Sequence, residues 1–83
     1  MTKNLIMCRS VTSAQRCVRL LEASLIRASV AKAPRGLVTT GCAYCVALND
    51  KLESAVALLR GKGMEIGKIF TRGQDGSYRE VEL

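Results

Sequence analysis

The spacing of apolar residues predicts a strand, a helix and a second strand in the first part of the chain. Residues 5–8 form an unbroken apolar run, which is typical of a strand buried on both faces. Between residues 13 and 25 the apolar side chains recur at helical spacing, and Thr12 with Gln15 forms a capping box in front of them. Residues 26–33 then alternate between apolar and other side chains, which predicts a half-buried strand that ends before Pro34.

A loop, a strand and a second helix follow. Residues 35–44 contain two glycines and two threonines and show no usable period, so we interpret them as a loop. Residues 45–48 are apolar and predict a third strand. Asn49 or Asp50 is the predicted cap of the second helix, whose apolar stripe runs to residue 59 and which two glycines then stop.

The end of the chain completes a mixed α+β pattern. Residues 65–70 predict a fourth strand, and Asp75-Gly76 is a hairpin signal before a last strand at residues 78–83. The order of the first six elements is that of the ferredoxin-like split βαβ (βαββαβ) sandwich, in which two helices cover one face of an antiparallel sheet. We therefore expect residues 1–83 to form one such domain with a C-terminal β-hairpin.

Composition narrows the partners and the compartment. The 83 residues carry a net charge of +6, yet the basic residues are spread along the chain and only three aromatic residues are present, so we expect no nucleic-acid partner. No apolar run is long enough to span a bilayer, and the four apolar residues after Asn4 are too few for the core of a signal peptide. We expect a cytoplasmic protein without a membrane partner.

The four cysteines carry the candidate chemistry. Cys42 and Cys45 form a C-x-x-C motif, which serves zinc sites and redox centres alike. A structural zinc site usually needs a second closely spaced pair, whereas Cys8 and Cys17 are nine residues apart and the chain has no histidine. We therefore expect no metal site and interpret Cys8 and Cys17 as buried, small apolar side chains.

The loop around Cys42 favours a reactive thiolate there. Gly41 gives the backbone the freedom to expose the sulfur, and the cations Lys32 and Arg35 would favour the thiolate if they reach it. Two plainer interpretations stay open from the residues alone: Cys42 is a loop thiol without a role, and Arg35 is a solvated surface charge. For Cys45 the residues favour the plainer interpretation, that it only begins the third strand.

Several segments together resemble the selenium/sulfur carrier protein-like family, a small family without an established activity. The resemblance extends to about residue 72. The segments that carry it are residues 9–14 (RSVTSA), residues 20–22 (LLE), the pair Pro34-Arg35, residues 39–45 (TTGCAYC), and residues 55–59 before a glycine. The most specific of them is Pro-Arg followed seven residues later by cysteine.

The resemblance implies that Cys42 is a carrier thiol, which holds sulfane sulfur or selenium as a persulfide or selenopersulfide. It implies a frame for substrate or anion binding around this thiol, with Cys45 as a less certain companion. The residues of that frame are Pro34, Arg35, Thr39, Thr40 and Gly41. Ala43 departs from the glycine that the family often has. The implied partners are a donor protein of the cysteine desulfurase type and an acceptor protein, with no cofactor, so the chain would be a carrier rather than a stand-alone enzyme.

Two other functions stay open beside the carrier. One is a redox-responsive interaction module, in which a thiol/disulfide switch between Cys42 and Cys45 changes a binding surface. The other is a metal-binding adaptor. The exposed edges of the predicted sheet also leave open whether two copies pair into a homodimer.

Overall fold

The protein is described by a computed structural model over residues 3–33 and 44–83. In these two ranges the chain forms five strands and two helices. In chain order they are β1 (Asn4–Met7), α1 (Val11–Ala23), β2 (Ser29–Lys32), β3 (Tyr44–Leu48), α2 (Leu52–Gly61), β4 (Ile69–Arg72) and β5 (Tyr78–Val81).

All five strands lie in one antiparallel sheet with the order β2-β3-β1-β4-β5. The central strand is β1, in which Ile6 lies opposite Val46 of β3 on one side and Ile69 of β4 on the other. The predicted α+β class, with two helices, an antiparallel sheet and a C-terminal hairpin, is confirmed. In that hairpin Gly76 has φ +86, a value that glycine adopts without strain.

Because side chains alternate along a strand, β1 and β3 supply apolar groups to both faces of the sheet. The helix-side cluster joins Ile6, Val46 and Ile69 of the sheet to buried residues of the helices such as Leu21 and Leu59. The far-side cluster lies on the opposite face. Its buried members are Leu5, Met7, Cys45, Ala47 and Phe70. The prediction that residues 5–8 are buried on both faces is therefore confirmed for β1.

Both predicted helix caps are wrong. The N-cap of α1 is Ser10, whose Oγ accepts from the backbone N–H of Ser13 at 3.1 Å, so Thr12 lies inside the first turn. The N-cap of α2 is Lys51, whose side chain makes no capping hydrogen bond. Asn49 instead accepts from the backbone N–H of Lys3 at 2.8 Å, because its side chain faces the start of β1.

The predicted strand limits also differ from the observed ones, most of all for the second and fourth strands, and the last strand ends at Val81 rather than at residue 83. The second strand occupies only Ser29–Lys32, and the fourth occupies Ile69–Arg72 rather than residues 65–70. In the segment before β4, Gly67 donates its N–H to the carbonyl oxygen of Met7 at 2.7 Å, and a Cβ there would lie 3.3 Å from the Cβ of Met7. Within the described ranges, neither helix has the length and apolar character needed to cross a membrane.

Candidate functional site

The predicted site residues divide into those that the structure describes and those that it does not. Cys45 lies in β3 and is described. The others fall in residues 34–43, outside the described residues, and their roles stay predictions; they are Pro34, Arg35, Thr39, Thr40, Gly41 and Cys42.

The described residues on either side of residues 34–43 show at which end of the sheet this interval is attached. The described chain stops at Ala33, directly after β2, and resumes at Tyr44, the first residue of β3. Lys32 and Tyr44 are directly paired across the two strands. The carbonyl oxygen of Tyr44 accepts from the backbone N–H of Cys8 at 3.3 Å. Residues 34–43 are therefore attached where β1 ends and where Ser10 caps the start of α1.

Cys45 is held inside the far-side cluster. Its residue exposure is 0%, and it is paired with Met7 of β1 and with Ala31 of β2. It is a thiol and is not part of a disulfide. Since the side chain is covered on the sheet face away from the helices, a reagent in solvent does not reach this sulfur in the folded chain.

The cations at this end of the sheet lie on the surface. Lys32 is exposed at the last position of β2, which puts one of the two predicted cations beside the start of β3. Arg9 forms an exposed ion pair with Glu65, and exposed pairs of this kind contribute little to stability. The first turn of α1 contains no acidic residue, so its positive dipole end is not offset by a carboxylate of its own.

Cys8 and Cys17 are both buried, as predicted, and they are also neighbours, which their spacing of nine residues does not indicate. Cys8 follows β1 and Cys17 lies in α1 on the side facing the sheet. Burial raises the pKa of the Cys17 thiol, and a hydrogen bond with the side chain of Cys8 acts in the opposite direction. The Cys8 thiol also donates a hydrogen bond to the carbonyl oxygen of Ile6, with 3.6 Å between sulfur and oxygen. The sequence holds no signal for the proximity of the two cysteines, because it depends on how α1 packs on the sheet.

An open cavity of about 650 Å³ lies at the other end of the sheet, where α1 ends and α2 begins. None of the three described cysteines lines it. Its walls include Leu25 and Lys51, the two described residues other than glycine that have a positive φ. Among the described residues, no group of three or more Cys, Asp or Glu side chains could hold a metal ion.

Comparison with known protein families identifies the family to which the chain belongs. Residues 3–71 match the family described as Putative Se/S carrier protein-like. The match includes β1 to β3, both helices and the first three residues of β4, together with the interval that contains Cys42. No curated protein and no solved structure matches the chain.

Proposed function

We propose, from the premise that the chain belongs to the Se/S carrier protein-like family, that it carries sulfane sulfur or selenium on Cys42 between two partner proteins. The family match is the observation that carries the proposal, because it spans the whole of the interval around Cys42 and both strands that flank it. The redox-responsive module remains the alternative, and no family match supports it.

Chain length and the described strand ends add a geometric reason. Tyr44 is fixed by its pairing with Lys32 and by the hydrogen bond from Cys8. Two residues of chain span at most about 7 Å, so Cys42 cannot be farther than this from Tyr44, measured between Cα atoms. Lys32 is paired with Tyr44, and the start of α1, capped by Ser10, follows two residues after Cys8, so a cation and a positive helix end belong to this end of the sheet. Groups of both kinds favour a thiolate over a neutral thiol when they lie beside it.

The transfer needs no external oxidant. The Cys42 thiolate attacks the outer sulfur of the donor's persulfide, the bond between the two donor sulfurs breaks, and the donor leaves as a thiolate. The acceptor's thiolate then attacks the outer sulfur now held on Cys42, which regenerates the Cys42 thiolate. Selenium follows the same scheme as a selenopersulfide. The complete burial of Cys45 favours direct delivery to the acceptor over release through a Cys42–Cys45 disulfide.

The proposed partners follow from this chemistry. A donor of the cysteine desulfurase type presents an outer sulfur on a cysteine, and an acceptor must present a nucleophile. The net charge of +6 favours acidic docking surfaces on both. A reducing compartment such as the cytoplasm is part of the proposal, because it keeps the carrier thiol available.

We also propose that the fold is the ferredoxin-like split βαβ arrangement, extended by one strand. The support is the strand order, in which β4, β1, β3 and β2 are consecutive neighbours and β5 is added beside β4.

The test is mass spectrometry after incubation with a cysteine desulfurase and cysteine. Wild-type protein should gain about 32 Da per transferred sulfur, and Cys42→Ser should gain none. Cys45→Ala is the matched control and should still gain the sulfur, since its thiol is buried. Equal gain on wild type and Cys42→Ser would overturn the proposal. A reversible loss of about 2 Da that does not depend on a sulfur donor would favour the redox module.

A further inference from the structure

An exposed apolar side chain belongs to the wall of the cavity between the end of α1 and the start of α2. Leu25 lines this cavity of about 650 Å³ and is 85% exposed, the highest value among the large apolar side chains of the described residues. Other apolar residues line the same cavity, namely Ile26, Ala28, Ala47 and Leu48. An apolar recess and an exposed apolar side chain therefore belong to one patch of the surface.

Leu25 has a backbone conformation that is unusual for a leucine. Its φ of +64 lies in the left-handed region, where a residue with a Cβ is strained, and α2 has Gly63 at the corresponding position. Burial inside the domain does not explain this leucine, because its side chain is exposed. Strained residues of this kind cluster at functional positions. Contact with a second molecule would explain why a strained and exposed leucine is present.

The charged side chains around the cavity are balanced in sign. Two carboxylates and two cations line it, and all four are exposed; they are Glu22, Asp50, Arg27 and Lys51. None of the four belongs to an ion pair within the described part of the chain. The net charge of +6 makes two copies of the chain repel one another. Two copies that meet at this cavity bring equal numbers of both signs together, so the local repulsion is small.

We propose that the Leu25 patch, which consists of Leu25, the cavity and its four charged side chains, is a dimer interface between two copies of this chain. A two-fold axis brings the same patch together from both copies, so each feature must match another feature of that patch. Leu25 of each copy enters the cavity of the other, and the carboxylates of each copy face the cations of the other. The patch has both members of each match, which a surface for a foreign partner does not need.

The inference goes beyond the carrier function and does not rest on it. The cavity lies at the end of the sheet opposite Ala33 and Tyr44, so pairing there leaves uncovered the strand ends to which residues 34–43 are attached. It also differs from pairing through the sheet edges β2 and β5, because no strand of one copy is added to the sheet of the other.

Sedimentation equilibrium of the wild-type protein and two matched variants tests the interface. Leu25→Asn removes the apolar side chain and supplies a residue that tolerates the left-handed conformation, and it should raise the dissociation constant of the dimer at least about tenfold. Leu83→Asn makes the same change at an exposed leucine that does not line the cavity, and it should leave the constant unchanged. In dilute solution, where the monomer prevails, Leu25→Asn should resist urea at least as well as wild type, which separates a lost interface from a lost fold.

Two charge reversals test whether the patch faces its own copy. Arg27→Glu leaves three carboxylates and one cation at the cavity, and Glu22→Arg leaves three cations and one carboxylate. Each variant alone should therefore dimerise more weakly than wild type, because like charges face one another across the interface. An equimolar mixture of the two variants should dimerise more tightly than either one alone, since the altered patches have opposite charge.

Three results would overturn the inference. The first is a wild-type protein that stays a monomer up to about 1 mM. The second is a Leu25→Asn variant that dimerises as tightly as wild type, which would place the contact on another surface such as a sheet edge. The third is a mixture of the charge variants that associates no better than each alone. Because these measurements use no sulfur donor, their failure is distinguishable from a failure of the carrier function.

Discussion

At the scale of single residues, Ser10 and Thr12 show how position decides what a hydroxyl does. Both have the chemistry of a helix cap, and Thr12 with Gln15 even completes a capping-box pattern. Ser10 is the cap because its backbone is extended, with φ −154 and ψ 166, directly before the first helical residue. The sequence shows that a cap is present here. It does not show where the chain leaves the extended conformation, because that depends on where β1 ends.

Replacing Ser10 by alanine should therefore destabilise the protein by about 1 kcal/mol, since the N–H of Ser13 loses its acceptor. Thr12→Ala is the control and should change the free energy of unfolding by less than about 0.5 kcal/mol, because Thr12 is exposed inside the first turn. Urea unfolding monitored by circular dichroism measures both. The assignment of the cap would be refuted by a larger loss for Thr12→Ala than for Ser10→Ala.

The cysteines show the same division between what a residue type predicts and what only the fold reveals. Burial of Cys8 and Cys17 follows from their places on apolar faces, and it is confirmed. Their proximity depends on how α1 packs on the sheet, which no spacing along the chain specifies. For Cys45 the residue pattern offered a strand position and a companion role together. The structure places it in the strand and within a covered cluster, and the role stays a prediction.

At the scale of elements, the two helices end in the same motif with different residues. In α1 the N–H of Ile26 donates to the carbonyl of Leu21, and Leu25 has φ +64. In α2 the N–H of Met64 donates to the carbonyl of Leu59, and Gly63 has φ +75. This is the Schellman ending, in which glycine is the usual residue at the left-handed position. Only α2 follows that preference.

Leu25→Gly should therefore stabilise the protein by up to about 1 kcal/mol. The substitution removes the left-handed strain of a residue with a Cβ, which outweighs the added flexibility of glycine in the unfolded chain. Leu25 is 85% exposed, so little burial is lost. The matched change Gly63→Ala should destabilise by about 1 kcal/mol, and this cost is conformational because nothing lies within 4 Å of the added Cβ. The urea concentration at the unfolding midpoint should rise relative to wild type for Leu25→Gly and fall for Gly63→Ala. Shifts in the same direction would contradict the strain argument.

The existence and order of the elements could be predicted from the sequence, and their limits could not. Residues 64 to 70 alternate in the manner of a strand, yet Met64 and Ile66 pack on the helix-side cluster from outside the sheet. Pairing decides the limit: Ile69 lies opposite Ile6, and the sheet register starts there. Local alternation does not contain that long-range choice, since any segment with the same period satisfies it.

At the scale of the whole molecule, the inner strands of the sheet have buried residues on both faces, although both helices pack against the helix-side cluster on one face. The unbroken apolar run in β1 predicts such burial, because a strand with one solvated face would alternate. The far-side cluster then joins three strands, β1, β3 and β4, through residues that belong to none of the helices. A chain of this length buries only about 60–65% of its unfolded surface, so a second buried cluster is a large share of its stability.

Phe70 gives the clearest measure of that share. It belongs to the far-side cluster with 7% exposure, and it is paired directly with Glu80 of β5, which is exposed on the same face. Phe70→Ala should destabilise by about 3 kcal/mol or more, because it removes buried area and leaves a cavity. Glu80→Ala should change the free energy of unfolding by less than about 0.5 kcal/mol, since its contact with Lys68 is a surface ion pair at 3.8 Å.

Total stabilities of small domains lie near 5–15 kcal/mol, so Phe70→Ala can leave too little folded protein for a reliable unfolding curve. Phe70→Leu keeps the measurement in range and should cost about 1 kcal/mol, because most of the buried volume is retained. The order expected in urea unfolding is Phe70→Ala, then Phe70→Leu, then Glu80→Ala, from least to most stable. If all three variants unfolded at the same urea concentration as wild type, the far side of the sheet would be solvated in solution and its cluster would not contribute to folding.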